Sequence, residues 1–113
     1  MKNIIRKNRN RENRGILNSF FDLPLEQREI FISIKKNIIE KTGKDLKCFV
    51  FGSYYWGFWD DKSDFDLSIE YNKDLIFNYS FKEKIDEVIK IFKEKNVDID
   101  VLMIKDNNGI LIP

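Results

Sequence analysis

Phe51-Gly52-Ser53-Tyr54-Tyr55-Trp56-Gly57-Phe58-Trp59-Asp60-Asp61-Lys62-Ser63-Asp64-Phe65-Asp66-Leu67 joins the end of one apolar segment to the start of another, and the reading of the whole chain turns on it. Upstream, Leu46 to Phe51 is a short apolar run stopped by Gly52, the pattern of a buried strand. Downstream, Asp66 to Tyr71 reads as a second strand. Asp64 and Asp66 lie two apart at its entrance, and side chains i and i+2 of a strand share a face, so the two carboxylates converge. Carboxylates that close repel one another, which raises one pKa unless a cation sits between them. Magnesium takes oxygen ligands and is commonly held by one or two carboxylates with substrate phosphates. The same Asp-x-Asp spacing also arises in ordinary acidic loops. Gly52 lets backbone amides approach a ligand, and a short helix opening at Ser53 would aim its first amides at an anion. A plain strand-to-helix turn has the same sequence.

Outward from this stretch, the pattern is helix, strand, short connection, strand, helix, strand. Asp22-Leu23-Pro24 marks a helix entrance, with Asp22 as cap, and Leu25, Ile30/Phe31, Ile34 and Ile38 recur at helical spacing as far as Gly43. Ser80-Phe81-Lys82-Glu83 fits a capping box. Phe81, Ile85, Val88, Ile89 and Phe92 then form one helical face to about Lys95. Val97 to Ile104 becomes fully apolar, predicting a third strand at or near the centre of a sheet. Asp98 and Asp100 interrupt it at i and i+2; burying them is costly, so either that face is wet or it holds a cation. No repeat or linker divides the chain, which reads as one α/β (α+β) unit.

Composition narrows the chemistry. The chain has 113 residues, 42% hydrophobic and 14% aromatic, enough for one core and too few for two domains. Histidine is absent, which removes imidazole-based triads, Cys-His pairs and His-ligated metals. Cys48 alone builds neither a disulfide nor a zinc site, and together with the lack of a secretory signal it favours a cytoplasmic setting. No apolar run is long enough for a membrane span. The net charge of +1 hides an asymmetry: residues 1–14 carry Lys2, Arg6, Lys7, Arg9, Arg11 and Arg14 against Glu12, a balance of +5 that leaves −4 for the rest. Residues 1–20 form a basic arm, suited to RNA or phosphate contact or to life as a solvated tail, and 21–113 form the domain.

Gly-Ser, then Ser-Asp-x-Asp-Leu, then an Asp on a later apolar strand, resembles the DNA polymerase β-like nucleotidyltransferase superfamily. Within it the chain is most similar to the minimal nucleotidyltransferases of antitoxin type, which pair with HEPN-domain toxins; the resemblance runs from about Leu25 to Asp106. It implies a nucleotidyltransferase core, a short mixed sheet with helices mainly on one face. It implies that Gly52 and Ser53 hold the nucleotide's β/γ phosphates and that Asp64 and Asp66 ligate two Mg²⁺ ions. Asp100 matches the third carboxylate because Ile99-Asp100-Val101-Leu102-Met103-Ile104-Lys105-Asp106 keeps the family's register, with Asp98 in reserve. The implied reaction moves a nucleoside monophosphate, AMP from ATP, to a hydroxyl of a partner protein such as a HEPN-type toxin.

The chain departs from the family in two places. Arginines common in the family are replaced by Tyr54 and Trp56, which cannot supply bidentate phosphate contacts. The aromatic run Tyr54, Tyr55, Trp56, Phe58, Trp59 suits stacking on a base, docking of a partner, or packing of a short helix on the core. Where the family continues into a further helix this sequence stops at Ile112-Pro113, so either a piece is missing or a partner supplies that surface. The rival readings are an enzyme acting on RNA or a small molecule, a degenerate module that neutralises a toxin by contact, and an unrelated small α/β protein.

Overall fold

The computed structural model describes residues 13–106 and 109–113; Lys2, Arg6, Lys7, Arg9 and Arg11 of the basic arm lie outside them. After a 3-10 turn at Phe20–Asp22 come α1 (Leu25–Thr42), β1 (Cys48–Val50), α2 (Gly52–Trp56), β2 (Phe65–Glu70), α3 (Tyr79–Glu94), β3 (Ile99–Ile104) and β4 (Ile110–Leu111). The strands form one mixed sheet in the order β3-β2-β1-β4. β1 runs antiparallel to β2 and to β4, and β2 runs parallel to β3 through the α3 crossover. The fold class expected from the sequence is the one observed.

Two amphipathic helices cover the sheet. Phe31, Ile34 and Ile38 of α1 and Ile85, Val88 and Phe92 of α3 are buried, each set on one helical stripe. They meet Cys48 and Val50 of β1, Leu67 and Ile69 of β2 and Ile99 of β3 in a single cluster. Burying such side chains contributes about 1.5–3 kcal/mol each, which is what holds so short a sheet together. Burial pushes the Cys48 thiol up to about 11, with Lys35 pulling the other way, so Cys48 packs as an inert side chain.

Four local expectations need correction. Asp22 does not cap α1: its carboxylate accepts from the Ser19 amide at 3.1 Å and closes the preceding 3-10 turn, while Pro24 stands at the N-cap of α1. Asn78 caps α3 in place of Ser80, its Oδ1 accepting from the Phe81 amide at 2.8 Å, because the helix starts earlier than the capping-box pattern implied. β3 is an edge strand. Its partner is β2, and the chain leaving it returns beside β1; the apolar run looked central because α3 shields its inward side chains. Finally, the residues at the end of the sequence enter the sheet as β4, with the Ile112 amide bonded to the Cys48 carbonyl at 2.8 Å and the Ile112 side chain fully buried. Among the described residues no helix is long and apolar enough to cross a membrane.

Candidate active site

β2 alternates between two environments. Phe65, Leu67 and Ile69 turn into the core, so the pleat sends Asp66 to the opposite face. Parallel pairing sets Asp66 directly beside Asp100, the second residue of β3. Asp64 sits exposed just before the strand. Burial, then the charge of Asp100, then that of Asp64 push the Asp66 carboxyl up to about 6 from the ordinary 3.8. Three acids from one strand entrance and its neighbour are therefore electrostatically coupled at one place.

Asp98 belongs elsewhere. Its carboxylate pairs with Lys93 at 3.5 Å on the exposed end of α3, and its carbonyl accepts from the Phe65 amide at 2.9 Å. Asp60 and Asp61 lie in the connecting turn, where Asp60 Oδ1 accepts from the Lys62 amide and Ser63 Oγ accepts from the Asp60 amide, both at 2.8 Å.

Gly52 closes the site from the other side. The Phe51 amide donates to the Asp66 carbonyl at 2.9 Å, so the end of β1 is tied to Asp66 itself. The next residue, Gly52, has φ +63°, and a Cβ there would overlap the Asp66 carboxylate. Only a residue without a side chain lets the first turn of α2 sit this close to the acid. Ser53 follows, half-buried, and its carbonyl accepts from the Gly57 and Phe58 amides. The structure thus brings Gly52, Asp66 and Asp100 together, with Ser53 and Asp64 adjoining and Asp98 apart.

The aromatic run divides. Tyr54 is buried, stacked on Phe65 (4.9 Å between centroids, 19°) and on Trp59 (5.2 Å, 16°), with Phe31 edge-on to Tyr54 and Phe65. Burial, then Asp60, Asp61 and Glu26, against Arg14, push the Tyr54 hydroxyl up to about 12. Trp56 and Phe58 face outward. The expected aromatic surface is half core packing, because alternate positions of so short a helix must face opposite sides. Sequence reasoning missed the arm's part in this packing: the Arg14 amide donates to the Gly57 carbonyl (2.9 Å) and the Leu17 amide to the Tyr55 carbonyl (2.8 Å). The pair Gly15 and Gly57 was the available signal, since a Cβ at Gly57 would strike the backbone of Gly15.

The donors at the site are all carboxylate oxygens, which suits a hard divalent cation in kind. As placed, no three acidic, thiol or imidazole side chains among the described residues stand close enough to enclose an ion, so the exposed Asp64 and Asp100 carboxylates would have to turn toward Asp66. The frame is that of a class: a small α+β domain that gathers acids from two parallel strands against a glycine-opened helix. A family model of the nucleotidyltransferase domain matches residues 32–108, and the chain belongs to that family. No curated protein and no solved structure matches it. Membership supports nucleotidyl transfer in general, with a nucleoside triphosphate as substrate and a divalent metal ion as the family's usual cofactor.

Proposed function

We propose that the domain transfers AMP from ATP to a hydroxyl on a partner protein, in the manner of a minimal nucleotidyltransferase antitoxin acting on a HEPN-type toxin. The observation that carries the reading is the Asp66–Asp100 register, with Gly52 against the Asp66 carboxylate. Asp64, Asp66 and Asp100 would hold two Mg²⁺ ions, which when bound neutralise the triphosphate and polarise the reacting oxygens. Gly52 and Ser53 present the opening of α2 to the β and γ phosphates. Asp100 takes the proton of the acceptor hydroxyl. That oxygen forms a bond to the α-phosphorus, the bond from the α-phosphorus to the α–β bridging oxygen breaks, and pyrophosphate leaves with the electron pair. Positioning and electrostatics supply the rate, as in other phosphoryl transfers.

In this proposal the arm of residues 1–20 joins the catalytic domain of 21–113 through Arg14, Leu17 and the buried Phe20, and the domain acts in a cytoplasm that keeps Cys48 reduced. A protein acceptor fits the exposed Trp56 and Phe58 next to the site, since aromatic side chains are favoured interface anchors. The test is to incubate the protein with whatever protein co-purifies with it, Mg²⁺ and ATP labelled at the α-phosphate. Label and a one-AMP mass increase on a hydroxyl side chain of the partner are the expected result. Labelled RNA with unlabelled protein would replace the protein acceptor with RNA. Tight partner binding without ATP binding in a calorimeter would replace the enzyme with a contact module.

A further inference from the structure

Arg14 begins a stack that ends at Phe65, the first residue of β2, between Asp64 and Asp66 in the chain. Its guanidinium lies over the Trp59 ring, with the central carbon 4.0 Å from the centroid, and Nη1 donates to the Trp59 carbonyl at 2.6 Å. Trp59 lies on Tyr54, and Tyr54 lies on Phe65. Phe65 separates Asp64 from Asp66 in the chain. Each layer comes from a segment that bears on the site: Trp59 opens the turn leading to Asp64, Tyr54 rides on α2 two residues beyond Gly52, and Phe65 starts β2. Tyr54 and Phe65 are buried and braced edge-on by Phe31, so a shift at one layer passes to the next and is not absorbed by empty space.

We infer that Arg14 is a positioning residue of the carboxylate site, fixing Asp64 and Asp66 relative to Gly52 through the Trp59–Tyr54–Phe65 stack. The inference rests on the nucleotidyl-transfer reading for what the site binds. The Arg14 side chain is separable from the strap that carries it, because the amides of Arg14 and Leu17 bond α2 and its cap whatever the side chain at 14. Arg14 is itself exposed, so its replacement leaves the core cluster whole. Arg is suited to the task because its planar fork stacks on a ring face while donating at its edge, whereas Lys is a point charge.

The experiment uses the full chain carrying Trp56→Phe, so that Trp59 is the single indole, and Mn²⁺ as the probe ion. Arg14→Ala should weaken Mn²⁺ binding several-fold and should change the Trp59 emission. The thermal midpoint should fall by only a few degrees. Arg14→Gln, uncharged but planar and able to donate to the Trp59 carbonyl, should restore part of the affinity. A mere field effect predicts the opposite sign, since removing a positive charge can only favour a bound cation. Unchanged or tighter Mn²⁺ binding by Arg14→Ala, in a parent protein that binds Mn²⁺ and ATP, overturns the positioning role and leaves the functional reading standing. A parent protein that binds neither overturns both.

Discussion

The two faces of β2 obey different rules although they alternate along the same six residues. Toward α1 and α3 every position is apolar and closed to solvent; toward the other side the strand carries the half-buried Asp66, the fully buried Ser68 and the exposed Glu70, with Asp100 next to Asp66 on β3. The inward face is what folding requires. The outward face sets like charges side by side, which folding alone disfavours, and it is on this face that we propose the site. Stability and activity should therefore be separable by face.

The sharpest break comes from the inward side. Phe31→Ala removes the ring that touches both Tyr54 and Phe65 and should cost about 3–5 kcal/mol, a large part of the stability of a domain this size. Chemical denaturation measures it, and a loss below about 1 kcal/mol would mean the two faces are less distinct than they look. On the outward side, Asp100→Ala should reduce nucleotidyl transfer more than 100-fold, about 3 kcal/mol in the transition state, with unfolding hardly changed. Asp98→Ala, which only frees Lys93, should stay within about 3-fold of the parent. The reverse ranking of these two would move the third carboxylate to Asp98.

Gly52→Ala tests the seam between the faces. The added methyl collides with the Asp66 carboxylate at a positive φ, so about 1–3 kcal/mol of stability should go, together with most ATP binding. Calorimetry and denaturation on the same sample check both. A smaller effect of opposite sign is expected for Asp66→Asn. The folded pKa of about 6 lies above the ordinary 3.8, so the ionised form is disfavoured in the fold. The penalty is absent below about pH 4, grows between pH 4 and 6, and is complete at pH 7. Because Asp66 is half exposed, solvent screening reduces the gain for Asn at pH 7 to about 1 kcal/mol, vanishing by pH 4. Equal gains at pH 4 and pH 7 would rule out charge as the cause. Transfer should be lost in this variant at both pH values.

The smallest change is at the arm. With a protein acceptor, deleting residues 1–12 should leave transfer nearly unchanged and salt should act only by ordinary screening. With RNA as acceptor, affinity should fall steeply with salt as phosphate-bound counterions are released.

What was legible in the sequence follows the range of each interaction. α1 and α3 announce themselves through apolar residues three and four apart, and the Asp64–Asp66 pair through alternation, both local patterns. The Asp66–Asp100 register was reachable only through a resemblance, since pairing between distant strands leaves no mark in either one. β4 has two residues, too few to show a period, and β3 kept a central strand's composition at the sheet's edge. Arg14 and Trp59 lie 45 positions apart, so an arginine that counted only as one more arm cation proved to cap the aromatic stack.

The crossover that joins β2 to β3 also has a kinetic meaning. Asp66 and Asp100 become neighbours only when the crossover carrying α3 closes, because parallel strands cannot be joined by a tight hairpin and their pairing must wait for a long loop to close. Helical signal should therefore appear early in refolding, and the acid cluster should be assembled in the slow, non-local step. A half-folded chain would carry most of its helix and no working centre, so phosphate chemistry is withheld until the molecule is complete.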